Sequence, residues 1–280
     1  MFTIRTLTFD DLDAADQVLM SAYRVTSRKV ELARWMRLEN STWLTGQEAD
    51  RLVGMVGAID YGPFAYIGLM GIHADFQRRG YGKALMLALI GELEQAGQPG
   101  TLLDASVPGA ALYVQIGYHD LSLVNVYKQT GEWGNQSTGI RIERLNIQSL
   151  TEVAAYDQQY FGADRRQVLQ SYLMAFPDRL IGARDGVGKL IGYALAQPKR
   201  LGPWVAIDQQ TAAALLEAAR QYPFNDSMEV LITSVNLTGI ELLERNGFTQ
   251  QRTLRHMQRG KAGHTRSLEH IYGQSSFMLG

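Results

Sequence analysis

Cysteine is absent from all 280 residues. That one absence excludes disulfides, thiolate metal sites and cysteine nucleophiles together, and it fits a reducing compartment. A charge excess is also missing: 27 Lys and Arg face 28 Asp and Glu, for a net charge of −1. No bulk positive charge exists to hold a phosphate backbone, so nucleic acid is not expected as a partner, although a local cation cluster remains compatible with the balance. No apolar run approaches the ~20 residues that span a bilayer. The opening residues, Met1 to Asp11, lack the basic and apolar regions of a signal peptide. No membrane is expected as a partner, and a cytoplasmic location is. The five histidines (His73, His119, His256, His264, His270) show no ligand-like spacing, so no metal site is expected. No Gly-x-Ser-x-Gly elbow of a serine hydrolase occurs.

What is present is a globular chain with 46% hydrophobic and 20% charged residues, enough for a sizeable core and for one large or two modest domains. Apolar spacing predicts helix between Thr8 and Trp35, over Tyr81–Ala96 and over Ala110–Ile116, the last ended by Gly117. Strands are expected over Leu52–Tyr61, Ala65–His73, Thr101–Ser106 and Leu121–Tyr127. Residues 129–139 are polar and glycine-rich and read as a linker. The pattern then restarts, with strands at Ile140–Leu145, Leu190–Ala194 and Glu229–Val235 and helices from Ser149 or Thr151, over Ala212–Arg220 and over Gly239–Asn246. Residues 84–118 laid on 214–248, an offset of 130, match at six positions, among them Ala84, Leu112 and Gly117 with Ala214, Leu242 and Gly247. Strands alternating with helices, twice over, predict an α/β (α+β) fold built by duplication of one unit.

One segment carries chemistry. From Gly71 a strand runs into Gln77-Arg78-Arg79-Gly80-Tyr81-Gly82-Lys83, and a helix begins at once. Two glycines allow a tight turn that gathers backbone N–H groups, and the helix N-terminus adds roughly half a positive charge. With Arg78, Arg79 and Lys83 this makes an anion site suited to a pyrophosphate. It is not a Walker A loop, because Gln77 holds the first glycine position and Ala84 that of Ser/Thr. Nor is it a dinucleotide fingerprint, because Leu85 replaces the third glycine.

Gln77 to Gly82 resembles the acyl-CoA pyrophosphate loop (Gln/Arg-x-x-Gly-x-Gly/Ala) of the GCN5-related N-acetyltransferases, or GNAT proteins. Leu103 to Tyr118, with Leu112-Tyr113-x-x-x-Gly117-Tyr118, resembles that family's second signature, in the same order and at a similar spacing. The resemblance covers residues 1–128 well and the second half weakly, as in members with two such domains. It implies two tandem GNAT-like units, each a mixed, mostly antiparallel twisted sheet flanked by helices: 1–128 binding acetyl-CoA and catalytic, 140–280 degenerate and walling the acceptor pocket. It implies that Met70, Gly71 and Ile72 offer backbone groups to the pantetheine arm and acetyl carbonyl. By the same resemblance Gln77, Arg78, Arg79, Gly80, Tyr81, Gly82 and Lys83 hold the pyrophosphate. Tyr113 stands where the family places a general acid for the leaving thiolate, and Ser106 lies near the usual asparagine contacting the cofactor. A tyrosine is protonated at neutral pH and can donate, whereas Tyr118 reads as packing. Glu48, Asp60, His73 and Asp104 are candidate bases, and none is singled out.

The offset of 130 turns Arg79, Gly80, Gly82 and Lys83 into Gln209, Gln210, Ala212 and Ala213, and Tyr113 into Leu243. The second unit is therefore not expected to bind CoA. Trp204 could line its side of the pocket or lie in the core. The expected activity is acetyl transfer from acetyl-CoA, used without a metal, to a primary amine of a small molecule or of a protein by direct attack in a ternary complex. A non-catalytic acyl-CoA sensor, or transfer of a longer acyl group into depth beside Met70 and Met86, are the alternatives.

Overall fold

The computed structural model describes residues 1–134, 139–261 and 266–280. The middle of the expected linker and His264 lie outside the described residues. The first unit begins with β1 (Phe2–Thr6), then α1 (Leu12–Tyr23) and α2 (Lys29–Met36). The expected helix between Thr8 and Trp35 is two helices because Arg24 ends α1 in the left-handed region, at φ 54°. There follow β2 (Ser41–Glu48), β3 (Arg51–Asp60), β4 (Ala65–Ile72), α3 (Tyr81–Gln95), β5 (Gly100–Ala105), α4 (Val107–Gln115) and β6 (His119–Gln129). The second unit has β7 (Arg141–Leu145), α5 (Leu150–Phe161), α6 (Arg166–Ala175), β8 (Leu180–Arg184), β9 (Leu190–Ala196), β10 (Leu201–Ala206), α7 (Gln209–Ala219), β11 (Glu229–Thr233), α8 (Leu237–Arg245), β12 (Phe248–Gly260) and β13 (Ile271–Gly273).

The sheets do not follow the boundary between the units. One sheet of eight strands runs β1-β2-β3-β4-β5-β12-β6-β11, and a second of five runs β13-β10-β9-β8-β7. The last long strand of each half is exchanged. β12 pairs antiparallel with both β5 and β6, and β6 pairs antiparallel with β11. The offset of 130 lays α4 on α8 residue for residue and β6 on β12 to within a residue at each end, so the exchange is symmetric. Every strand pair in both sheets is antiparallel except β4 with β5.

One core cluster is shared by both halves: Leu19, Leu32 and Tyr66 of the first pack with Phe161, Tyr172 and Tyr193 of the second. Residues 130–134 are not a free tether. Gly131 N–H donates to the Gly247 carbonyl, and Trp133 meets Phe248 edge to face. Trp204 is fully buried in the second unit's core against Tyr272.

Candidate functional site

β4 and β5 run parallel for three pairs, from Ala65↔Thr101 to Ile67↔Leu103, and then part. The cause is local. β4 carries one more residue than β3 between Gly68 and Gly71, and Leu69 is forced to φ 50°. Such a bulge bends the strand and frees backbone groups from the ladder, and bulges gather at active sites. Met70, Gly71 and Ile72 therefore stand on the free edge of a V-shaped opening. The Tyr23 hydroxyl, from the end of α1, donates to the Met70 carbonyl at 2.8 Å. Sequence reasoning missed Tyr23, because only the parting of the strands makes that position meaningful.

Beyond β4 the loop turns into α3. Arg78 sits at φ 61° and Gly80 at φ 83°, two left-handed residues that curl the chain around a point ahead of the helix. Gly80 is needed for that conformation, since a Cβ there would meet nothing. Gly82 is different: a Cβ would come within 2.6 Å of the Met70 methyl, the movable end of a flexible side chain. The expected anion-binding side chains divide into two groups. Gln77 donates to the Ile72 carbonyl at 3.0 Å, and Arg79 to Glu48 and the Asp75 carbonyl, both at 3.1 Å. Tyr81 stacks on Phe2 at 4.0 Å and donates to Glu48. These brace the loop. Arg78 and Lys83 are exposed and have no carboxylate partner among the described residues, so their charge is available together with the first N–H groups of α3.

Tyr113 lies on α4, 9% exposed, against Tyr118 at 5.8 Å. No described group bonds its hydroxyl. Burial pushes its pKa up to about 12, so it holds its proton. Ser106 caps α4, accepting from Gly109 N–H at 3.4 Å.

Of the candidate bases, Glu48 serves the loop, Asp60 accepts from Gly62 N–H and Gln98, and His73 caps the turn after β4. Asp104 alone stands at the opening, one residue beyond the last β4–β5 pair. Its carboxylate accepts from Tyr66 at 2.8 Å and meets His256 Nδ1 at 2.8 Å. Burial, and then the charge of Asp104, push the Tyr66 pKa well above its ordinary value. His256 comes from the exchanged strand β12, which sequence reasoning did not identify as a strand.

The second unit repeats the opening and fills it. β10 and β11 begin side by side at Arg200↔Glu229 and then separate. β13 lies in the gap. It pairs antiparallel with β10, and Gln274 N–H donates to the Leu231 carbonyl of β11 at 2.8 Å. Asn236, which the offset of 130 lays on Ser106, donates to the Ile271 carbonyl of β13 at 3.1 Å. The connection from β10 to α7 is only Ile207-Asp208, and Leu243 is buried where Tyr113 would stand.

Two family models match this chain: residues 9–118 match the acetyltransferase (GNAT) family and residues 153–273 an acetyltransferase (GNAT) domain. The uncharacterized N-acetyltransferase YitH of Bacillus subtilis is 27% identical over 199 residues, covering 68% of this chain and 70% of that protein. A putative acetyltransferase from Pyrococcus horikoshii superposes with a TM-score of 0.85 over 100% of this chain and 96% of its own, at 24% identity. A GCN5-related N-acetyltransferase from Anabaena variabilis gives 0.66 over 92% and 72%, at 17% identity. No described helix is long and apolar enough to cross a membrane. With both halves matched by such models, the chain belongs to the GNAT acetyltransferases, as an acyltransferase made of two GNAT units.

Proposed function

We propose that the first unit transfers acetyl from acetyl-CoA to a primary amine by direct attack in a ternary complex, and that the second unit binds no CoA. The observation that carries this reading is the contrast between the two openings, one leading to a cation-bearing loop and the other occupied by β13. The pyrophosphate would meet the N–H groups from Arg78 to Lys83, with Arg78 and Lys83 adding charge. The pantetheine arm would follow the free edge of β4 through Met70, Gly71 and Ile72. The amine attacks the thioester carbon, the C–S bond breaks, and Tyr113 gives its proton to the thiolate. The acceptor would approach from the sheet face shared with the second unit, where Met278 packs on Gly68. We take the acceptor to be a small molecule; a protein amine is the other possibility.

Calorimetric titration of the full chain with acetyl-CoA should saturate at one site per chain. Release of free CoA thiol on adding members of a primary-amine panel should then reveal transfer. Two equivalent sites would overturn the assignment of the openings. Tight binding without thiol release from any amine would favour the sensor reading.

A further inference from the structure

We infer that Asp104 and His256 form the base that takes the proton from the acceptor amine, so that the second unit supplies a catalytic group to the first through an exchanged strand. This rests on the transfer reading above.

Three independent features place the pair. First, Asp104 stands one residue beyond the last β4–β5 pair, and its side chain and that of His256, at 2% exposure, are shielded from bulk water although the Asp104 residue as a whole is partly open. Second, the side chains are arranged as an oriented base. His256 Nδ1 is 2.8 Å from the Asp104 carboxylate, whose other oxygen accepts from Tyr66. With the Tyr66 hydroxyl donating to one Asp104 oxygen, the other is the acceptor for His256, and in this arrangement Nδ1 carries the hydrogen that faces it. That leaves Nε2 with a free lone pair, and among the described residues nothing hydrogen-bonds it. A carboxylate that fixes the imidazole tautomer in this way is the arrangement by which histidine serves as a general base. Third, the β12–β6 register slips between His256 and Met257, a bulge beside the residue that would act.

Among the described residues Asp104 meets His256 from β5 and Tyr66 from β4, and Arg266, from the segment after β12, has its guanidinium 5.8 Å from the centre of the Tyr66 ring. A swapped strand needs no histidine to pair: β12 holds ten register positions on β6 and six on β5 through its backbone.

The acceptor arrives as R–NH3⁺ and gives one proton to Nε2, leaving R–NH2 and an imidazolium paired with Asp104. The amine lone pair forms the C–N bond, and the C–S bond breaks. The thiolate takes the Tyr113 proton, the second proton lost from the nitrogen is released as the amide forms, and Tyr113 regains a proton from solvent. General bases act within hydrogen-bond reach or through one water, and their loss typically costs about 10²–10⁴-fold.

The test uses the full chain with acetyl-CoA and two nucleophiles: the fastest acceptor of the amine panel, and hydroxylamine, which is already unprotonated at neutral pH. His256→Asn keeps an N–H donor near the Nδ1 position and so keeps the Asp104 contact, but removes Nε2. It should lower kcat on the amine by about 10²-fold or more at neutral pH, with the deficit narrowing as pH rises and the amine deprotonates unaided. Turnover of hydroxylamine and acetyl-CoA affinity should stay within a few-fold. Asp104→Asn should give the same pattern at a smaller amplitude, which guards against a folding defect in either variant alone. Equal losses on both nucleophiles, or an unchanged amine kcat at neutral pH, would overturn the assignment and leave the pair as a fastening for β12. Absence of transfer in the unsubstituted chain would instead remove the transfer reading itself.

Discussion

The two units differ most where they correspond best. β4 and β10 each open away from a parallel neighbour, and each is followed by a helix packed on the sheet. In the first unit eight residues separate strand from helix and include two left-handed positions at Arg78 and Gly80; in the second, Ile207 and Asp208 suffice, and Asp208 caps α7 with its own side chain at 2.8 Å. An acidic cap suits a helix N-terminus electrically, and its charge opposes an anionic ligand there. The opening itself is then closed by β13. A fold of this kind makes a gap as a by-product of strand geometry. Whether the gap is a ligand site depends on the loop above it and on what chain is available to fill it.

The largest expected effect tests whether the filling is structural. Arg165, 2% exposed, makes two 2.7 Å bonds to Asp157 and reaches Ser275 and the Gly280 carbonyl at 3.1 Å, fastening the segment that follows β13. Burial opposes its charge, but the Asp157 carboxylate prevails and the pKa is raised. Arg165→Met leaves Asp157 buried without its cation, which typically costs about 3–5 kcal/mol. Chemical denaturation should show a loss of that order, with acetyl-CoA stoichiometry still one. A second CoA site in this variant would break the comparison.

Next comes the acid. Tyr113→Phe removes one oxygen and keeps the ring against Tyr118, so melting should change little. If that hydroxyl protonates the thiolate, kcat should fall toward the low end of the 10²–10⁴-fold range, about 10²-fold, because a thiolate is already a fair leaving group. Burial raises the Tyr113 pKa to about 12, so the acid form persists as pH rises, and the rate should show no loss from its ionisation below about pH 10. Steady-state kinetics across pH with the best acceptor checks both. A Phe variant with full kcat would confine Tyr113 to packing.

A tenfold effect is expected at the loop. Gly80→Val places a β-branched residue at φ 83° and should weaken acetyl-CoA binding by about tenfold or more, with the melting temperature nearly unchanged. Gly80→Asn, which tolerates that region, should recover most of the affinity. Gly82→Val meets only the movable Met70 methyl and should cost less than Gly80→Val. Calorimetry on the three variants ranks them. If Gly82 proves the more sensitive, close approach of the ligand outweighs backbone conformation.

Much of this was legible in the sequence. The loop, the α3 and α4 helices and the duplication show in local patterns, because glycine pairs and helical stripes are short-range signals. β12 and β13 were not read: β12 is polar along its exposed half, from Thr249 to Arg252, and β13 is three residues long. The exchange of strands leaves no local mark, since β12 would look the same paired within its own unit. Asp104 was readable as a candidate, but its partner is 152 residues away on that strand, and only the tertiary pairing joins them. Trp204, which could have faced a pocket, is core because β13 covers it through Tyr272.

The smallest effect concerns a second buried arginine, at the seam between the units. Arg266 lies 4.8 Å from the Phe161 ring centre and 5.8 Å from that of Tyr66. Its three side-chain nitrogens are shielded and make no hydrogen bond within the described residues, unlike those of Arg165. Burial lowers its pKa, with nearby Tyr66 opposing that shift and the charge of Arg165 adding to it. Two terms therefore compete. Placing a guanidinium out of water with no carboxylate bonded to it costs several kcal/mol, while attraction to aromatic faces returns up to about 2 kcal/mol at a desolvated site, and the nearby Asp104 carboxylate adds to that return. Arg266→Met keeps an unbranched stem over both rings and removes the unpaired charge. The two terms should nearly cancel, with the desolvation cost ahead, so stability should be unchanged or higher by about 1 kcal/mol, a rise in Tm of about 2–4 °C for a chain of this size. Differential scanning calorimetry of the two proteins decides the sign. A clear fall in Tm would mean that the guanidinium is held by more than the two rings, and that the seam between the units is electrostatically as well fastened as the segment after β13.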